Sequence, residues 1–453
     1  MDKPTTALLT DHYELTMVAS ALRSGIAGRK AVFEVFARRL PEGRAYGVMA
    51  GIDRMINAAQ RFRFDDETVA HLVSTGVVDE GPMTDWLRAY RFTGDITGYA
   101  EGELFFPYSP VLTVAGTFAE CVVLETVILS VLNHDCAVAS AAARMVDAAG
   151  GKTLIEGGSR RTDPQAAVAA ARACHVGGFD TTSNLEAGRR HGIPTGGTTA
   201  HAFVLAHASE TESFLAQKEV LGVGSTYLVD TFDLLQGVRN AVEAVGTDIG
   251  AIRIDSGELE VDTRRSRELL DELGATGCRI VVSGDLDEFR VAELEASGAP
   301  IDAYLVGTSL VTGSGHPTAS MVYKLVSIAD SDNPESQLRA VGKLSPGKRT
   351  IGGRKGVQRT IASDGNFIAE VLSVLPVELP DDCMSPQVAL IRDGEAAIDL
   401  SDPSVSRRRC ADRRARLDPI DRTPWPARTP AIPTIWEGVE EPLSAVVANG
   451  DLR

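Results

Sequence analysis

Ala251-Ile252-Arg253-Ile254-Asp255-Ser256-Gly257 is the stretch on which the fold turns: a short β-rich run delivers the chain to a carboxylate, a hydroxyl and a glycine. Side chains alternate in a strand, so Arg253 and Asp255 share one face while Ile254 points the other way. The same construction recurs on both sides. Thr226 to Val229, Arg279 to Val282 and Asp302 to Val306 are comparable runs, and the first residues of the four lie 25, 28 and 23 positions apart. Between them, Leu234 to Val245, Thr263 to Leu273 and Glu288 to Ser297 space their apolar residues at roughly the helical 3.6, and glycine soon stops each one. This is the pitch of repeated β-α units. Upstream, Asp163-Pro164 suits the N-cap and first turn of an Ala-rich helix that ends at Gly177-Gly178, and Lys152 to Ile155 reads as one more strand.

Periodicity alone does not choose between an open doubly wound sheet and a closed barrel. The residues after each strand do: Glu156 and Arg160, Asp230 and Asp233, Asp255 and Ser256, Ser283 to Asp285, then Gly307 and Thr308. In a β/α barrel all strand C-termini open on one mouth, so these groups would face one site. The fold expected is therefore α/β, an irregular β/α barrel. The first hundred or so residues lack the repeat, and beyond about Asp330 it fades. A mixed α+β domain is expected over 1–125, the barrel over 126–330, and an irregular C-terminal extension packing on both over 331–453. The Pro- and Arg-rich stretch from Pro403 to Pro442 reads as surface wrapping, its arginines a solvated face or partners for carboxylates.

Length supports more than one structural unit: 453 residues is long for a single ordinary core. The composition, 44% hydrophobic and 24% charged, is that of a globular chain and excludes a mainly disordered one. With 45 Lys+Arg against 62 Asp+Glu, the net charge of -17 repels nucleic acid and anionic lipid, so neither is an expected partner. An anionic substrate needs a locally basic pocket. The six cysteines are scattered without zinc spacing and read as reduced, packed thiols. Met1 to Thr10 shows no secretory pattern, and the apolar run Cys121 to Leu132, broken by Glu125, is too short to cross a bilayer. A cytoplasmic location is expected, with no membrane partner.

Ser283-Gly284-Asp285 and Val306-Gly307-Thr308 each set a glycine directly after a buried strand. Backbone N–H groups there can close on phosphate oxygens, since no Cβ holds them away; ordinary tight turns fit the same pattern. There is no Walker A sequence and no strand-borne G-x-G-x-x-G. Arg253 can hold a phosphate or carboxylate while Asp255 accepts from sugar hydroxyls, or the two form a structural ion pair. His201 follows Gly196-Gly197-Thr198-Thr199-Ala200 and stands where a turn enters a regular element; His207 is the weaker candidate.

Leu8-Leu9-Thr10-Asp11-His12-Tyr13-Glu14-Leu15-Thr16-Met17 closely resembles the opening signature of nicotinate phosphoribosyltransferases, a type II phosphoribosyltransferase family. The resemblance continues in order through Phe33 to Tyr46, Glu156 to Arg161, Gly178 to Asn184, Gly197 to Phe203, Leu228 to Asp233, Arg253 to Leu259, Val281 to Asp287, Val306 to Thr312 and Tyr323-Lys324-Leu325. It covers residues 5 to 360 and implies transfer of phosphoribosyl from 5-phosphoribosyl 1-diphosphate to nicotinate in NAD salvage. The family couples this to ATP hydrolysis, uses magnesium, and forms a homodimer with shared sites on an irregular α/β barrel.

Carried over by motif, His201 resembles the histidine that ATP phosphorylates, and Tyr13 the aromatic laid on the pyridine ring of a partner's site. Arg160, Thr198 and Arg253 would surround the nicotinate carboxylate and ribosyl phosphates. Ser183 stands where nicotinamide-using relatives have an acid. Asp255 would face the ribose hydroxyls, Gly284, Asp285, Gly307 and Thr308 would hold the 5-phosphate, and Ser283 is counted among the substrate-binding residues. No metal ligand is assigned. Gly157 departs from the pattern, since the family usually has a large apolar residue there, and its absence bears on substrate affinity. The rivals are a nicotinamide phosphoribosyltransferase and a non-catalytic barrel that binds NAD precursors. Ser183 and tandem Arg160-Arg161 favour a carboxylate substrate, and His201 with Arg253 and Asp255 favours an enzyme.

Overall fold

A computed structural model gives the structure of residues 4–343, 350–374 and 383–437. The chain divides into two compact units, one of residues 1–137, 318–421 and 426–453, the other of 138–317 with 422–425.

The second unit carries the repeated pattern. Its strands are β1 (Thr153–Glu156), β2 (Thr181–Thr182), β3 (Thr226–Leu228), β4 (Ala251–Ile254), β5 (Arg279–Val282) and β6 (Ala303–Val306). They hydrogen-bond in the order β2-β1-β6-β5-β4-β3, every pair parallel. Ile280, Val281 and Val282 are all buried, as strands covered on both faces must be. Helices Pro164–Gly177, Leu234–Val245, Leu259–Glu272 and Glu288–Ala296 return the chain between strands. The first begins where the sequence places it, with Asp163 accepting from the Gln165 and Ala166 backbone N–H groups. Among the described residues β2 and β3 are not paired with each other, so the ladder is an open, half-barrel parallel sheet. Parallelism brings all six strand C-termini to one edge, which is what a shared site requires.

The first unit is built on an antiparallel seven-stranded sheet in the order 338–340, 321–329, 30–37, 112–117, 95–99, 387–392, 395–396. Phe33 stacks on Tyr323 across it at 4.9 Å between ring centroids. A four-stranded sheet of Cys383–Met384, Lys355–Ile361, Phe367–Val374 and Thr434–Glu437 accompanies it. The expectation of an irregular C-terminal extension is thus corrected. Residues 355–437 hold regular strands and a helix, Pro403–Arg414, capped by Asp402. Proline at the first helical position and an arginine-rich face hid this helix from apolar periodicity. Two of its arginines serve as partners rather than a solvated face: Arg413 pairs with Glu103 at 2.6 Å and Arg409 donates to the Glu101 carbonyl. Residues 438–453 of the expected extension lie outside the described residues.

The helical stretch 118–148 is, by length and composition, apolar enough to cross a membrane, longer than the run visible in the sequence. Two thirds of its apolar window is buried inside the protein, as in a core helix. All six cysteines are free, five of them buried.

Candidate functional site

Burial and hydrogen bonding first order the turns at the strand ends. Glu156, fully buried at the end of β1, accepts from the Gly158 N–H at 2.5 Å and from the Thr182 hydroxyl, while its carbonyl accepts from the Ser183 N–H at 2.8 Å. Burial pushes its carboxyl up, and the bonds it accepts from the Thr182 hydroxyl and the Gly158 N–H oppose that. Asn184 donates to the Ser159 hydroxyl at 3.0 Å. One buried acid therefore brings the Arg160 turn and the Ser183 turn together, with both Arg160 and Ser183 exposed beside it.

The β6 turn adjoins them. The Gly157 N–H donates to the Val306 carbonyl at 2.8 Å, and a Cβ on Gly158 would lie 2.3 Å from Val311 Cγ1. Gly307 caps the short helix Thr308–Val311. A Cβ on Gly157 would meet Leu305 Cδ2 at 2.6 Å.

The neighbouring strands β3, β4 and β5 supply the polar cluster. His201 opens the short helix His201–Leu205. Its Nδ1 lies 3.2 Å from Thr231 Oγ1, and its Nε2 lies 3.7 Å from Asp255 Oδ2 and 4.0 Å from Asp230 Oδ1. Asp230 is nearly buried. Its Oδ2 accepts from the Asp255 N–H at 2.8 Å and from Ser256 Oγ at 3.0 Å, and its Oδ1, facing His201, has no hydrogen-bond partner among the described residues. Arg253 Nη1 donates to Thr198 Oγ1 at 3.2 Å and its Nη2 lies 3.6 Å from Asp255 Oδ1, which also accepts from the buried Ser283 hydroxyl. Gly284 has φ +97°, and a Cβ there would stand 2.2 Å from the Asp255 carbonyl oxygen, so the chain passes β4 at a distance only glycine allows. Asp285 follows with φ +38°.

The structure thus joins His201, Thr198, Arg253, Asp255 and Ser283 in one contact network, and joins the Arg160, Ser183 and Gly307 turns in a second at the same sheet edge. His207 is excluded from both: just beyond the helix His201–Leu205, its Nδ1 lies 2.8 Å from the Phe203 carbonyl and its ring packs on Phe203. Tyr13 belongs to the first unit, on helix His12–Ser24, with its side chain about half exposed. Its hydroxyl is pushed up to about 12 by burial and by Glu125 and Glu14. Sequence reasoning left Asp230 a strand-end acid without a role and passed over Thr231 altogether. Their position directly after β3, at the register of Asp255 after β4, is the signal that finds them.

Among the described residues no group of three or more His, Cys, Asp or Glu side chains is arranged to hold a metal ion.

The family model of the nicotinate phosphoribosyltransferase N-terminal domain matches residues 8–133. A Mycobacterium tuberculosis (strain ATCC 25618 / H37Rv) nicotinate phosphoribosyltransferase, pncB1, is 52% identical over 439 residues, 94% of each chain. The Bacillus subtilis (strain 168) nicotinate phosphoribosyltransferase is 37% identical over 379 residues, covering 80% of this chain and 76% of its own. In structure, human nicotinic acid phosphoribosyltransferase superposes with a TM-score of 0.80 at 25% identity, over 97% of this chain and 99% of that one. With relatives this similar across nearly its whole length, the protein belongs to the nicotinate phosphoribosyltransferase family.

Proposed function

We propose that this protein transfers the phosphoribosyl group of 5-phosphoribosyl 1-diphosphate to nicotinate, forming nicotinate mononucleotide and diphosphate in NAD salvage, with ATP hydrolysis coupled through His201. The observation that carries the reading is the His201 cluster: an accessible imidazole held between Thr231 and two strand-end carboxylates, beside a guanidinium on the same sheet edge. A neutral imidazole nitrogen is nucleophilic near pH 7, and its phosphoramidate is labile enough to be discharged in each cycle. The γ-phosphoryl of ATP moves to the ring nitrogen and ADP leaves; water later releases phosphate and restores the imidazole. Thr231 and Asp230 hold the ring's orientation.

Ribosyl transfer passes through a cationic, oxocarbenium-like state at the anomeric carbon, so alignment of the reactants matters more than a protein nucleophile. Arg160, Thr198 and Arg253 bind anionic groups of nicotinate and the phosphoribosyl donor, Asp255 accepts from the ribose hydroxyls, and Ser283, Gly284, Asp285, Gly307 and Thr308 hold the 5-phosphate. Magnesium enters as the ion carried by the substrate's diphosphate. Tyr13 covers the pyridine ring in a partner's site of a homodimer working in the cytoplasm. In this reading the parallel sheet is the wall of an irregular β/α barrel. The segment after β2 supports that closure: Thr195 bridges to Thr182 at one edge, and three residues later Thr198 accepts from Arg253 on β4.

Substrate choice tests the reading. Offered nicotinate and nicotinamide separately with phosphoribosyl diphosphate, magnesium and ATP, the protein is expected to convert nicotinate with strong preference, because Ser183 supplies no carboxylate to accept amide N–H groups. Equal use of nicotinamide contradicts the pocket assignment.

A further inference from the structure

We propose that Glu288 is a positioning residue that clamps the two phosphate turns together, tying the β5 turn to the β6 turn with Arg144 as its counter-charge and residues 422–425 as its cover. Glu288 is the first residue of helix Glu288–Ala296, directly after the Ser283–Asp287 turn, whose Asp287 caps that helix by accepting from the Arg290 N–H. Its Oε2 accepts from the hydroxyl of Ser314, which lies in the segment that follows Gly307 and Thr308. Ser314 is itself held in a left-handed conformation, φ +49°, with its N–H donating to the Ser309 carbonyl at 2.6 Å. A single side chain, on the residue directly after the β5 turn, therefore reaches the segment that follows the β6 turn. The proposal rests on reading those turns as the 5-phosphate site.

The other carboxylate oxygen lies 2.8 Å from Arg144 Nη1, and both side chains are at least nine-tenths buried. Arg144 Nη2 donates to the Pro424 carbonyl at 2.9 Å, and its guanidinium lies 5.5 Å from the centroid of the Phe289 ring. The Trp425 ring packs against Phe289 at 5.3 Å, and Arg422 reaches Asp147 at 3.8 Å. Residues 422–425 are thus fastened to the second unit although the chain on either side of them belongs to the first. Two charges taken out of water contribute little to stability alone, since apolar side chains of similar size commonly do as well. What an apolar pair cannot do is accept the Ser314 hydroxyl, and that bond fixes the spacing of the turns. Two sets of backbone donors close on one phosphate only if their separation is set beforehand.

The test removes the tie and leaves the ion pair intact. Ser314→Ala deletes the hydroxyl, and Ser314→Gly deletes it while relieving the left-handed backbone, which keeps the test valid should alanine disturb the loop. Kinetics with nicotinate and phosphoribosyl diphosphate, and calorimetric titration with phosphoribosyl diphosphate in the absence of nicotinate, read the result. Both variants are expected to raise KM and Kd for phosphoribosyl diphosphate about tenfold, the scale of one hydrogen bond to a charged group, and to leave KM for nicotinate within about twofold. An unchanged KM for phosphoribosyl diphosphate, or equal rises for both substrates, overturns the clamp. A wild type that forms no mononucleotide at all overturns the reading of the site itself, and the clamp with it.

Discussion

Glu14 stands next to the aromatic residue that closes the pyridine site in our reading, and its environment makes it titrate far from where a glutamate ordinarily does. It is fully buried, takes hydrogen bonds from the Thr126 N–H at 3.0 Å and hydroxyl at 2.5 Å, and contacts the Thr10 hydroxyl. Burial outweighs these bonds and pushes its carboxyl up to about 7. A carboxyl raised in the folded state favours folding while protonated, so its contribution is complete below about pH 4 and is lost as pH rises through 7. Each tenfold change in proton affinity between the unfolded and folded chain is worth about 1.4 kcal/mol, so the loss is at most about 3.5 kcal/mol. Denaturant unfolding between pH 4 and 8 is expected to show wild-type stability falling across this window relative to Glu14→Gln, which stays neutral throughout. Parallel pH profiles for the two proteins count against Glu14 as the source. At this scale the sequence singles out His201, Arg253, Asp255 and Thr198, and the fold brings these four into one contact network. It is silent on Thr231, because a threonine beside a strand carries no signal until the fold sets it 3.2 Å from an imidazole.

The turn after β5 shows what an element adds. Gly284 combines φ +97° with an approach to the Asp255 carbonyl that leaves 2.2 Å for a Cβ. An alanine there meets both the left-handed strain, about 1–2 kcal/mol, and the backbone of β4. Gly284→Ala is expected to lower the thermal midpoint by several degrees and, if the turn carries the 5-phosphate donors as proposed, to weaken phosphoribosyl diphosphate binding more than nicotinate binding. Wild-type kinetics in this variant, checked by initial rates over both substrates, remove Gly284 from the site. Strand and helix positions were legible from period and caps, and helix Leu234–Val245 falls where its pattern predicts. The helix at Pro403–Arg414 was not, since its partners Glu103 and Glu101 lie some three hundred residues away in sequence.

Across the whole molecule, the sequence carries the β-α pitch and the gathering of strand ends, while the pairing order of the sheet appears only in three dimensions. The 422–425 excursion has no local signal either: its contacts with Arg144, Asp147 and Phe289 span well over a hundred residues. In the proposed function the parts are joined by coupling, the use of ATP at His201 to drive transfer at the anomeric carbon, and the yield of each product measures it directly. Nicotinate, phosphoribosyl diphosphate and ATP are incubated with wild type and with His201→Asn, and ADP and nicotinate mononucleotide are quantified over the same turnovers. The wild type is expected to form ADP and mononucleotide in step. Since ribosyl transfer needs no protein nucleophile, His201→Asn is expected to form mononucleotide slowly, with no ADP and no stimulation by ATP. Continued ADP formation in step with mononucleotide in His201→Asn would contradict the account.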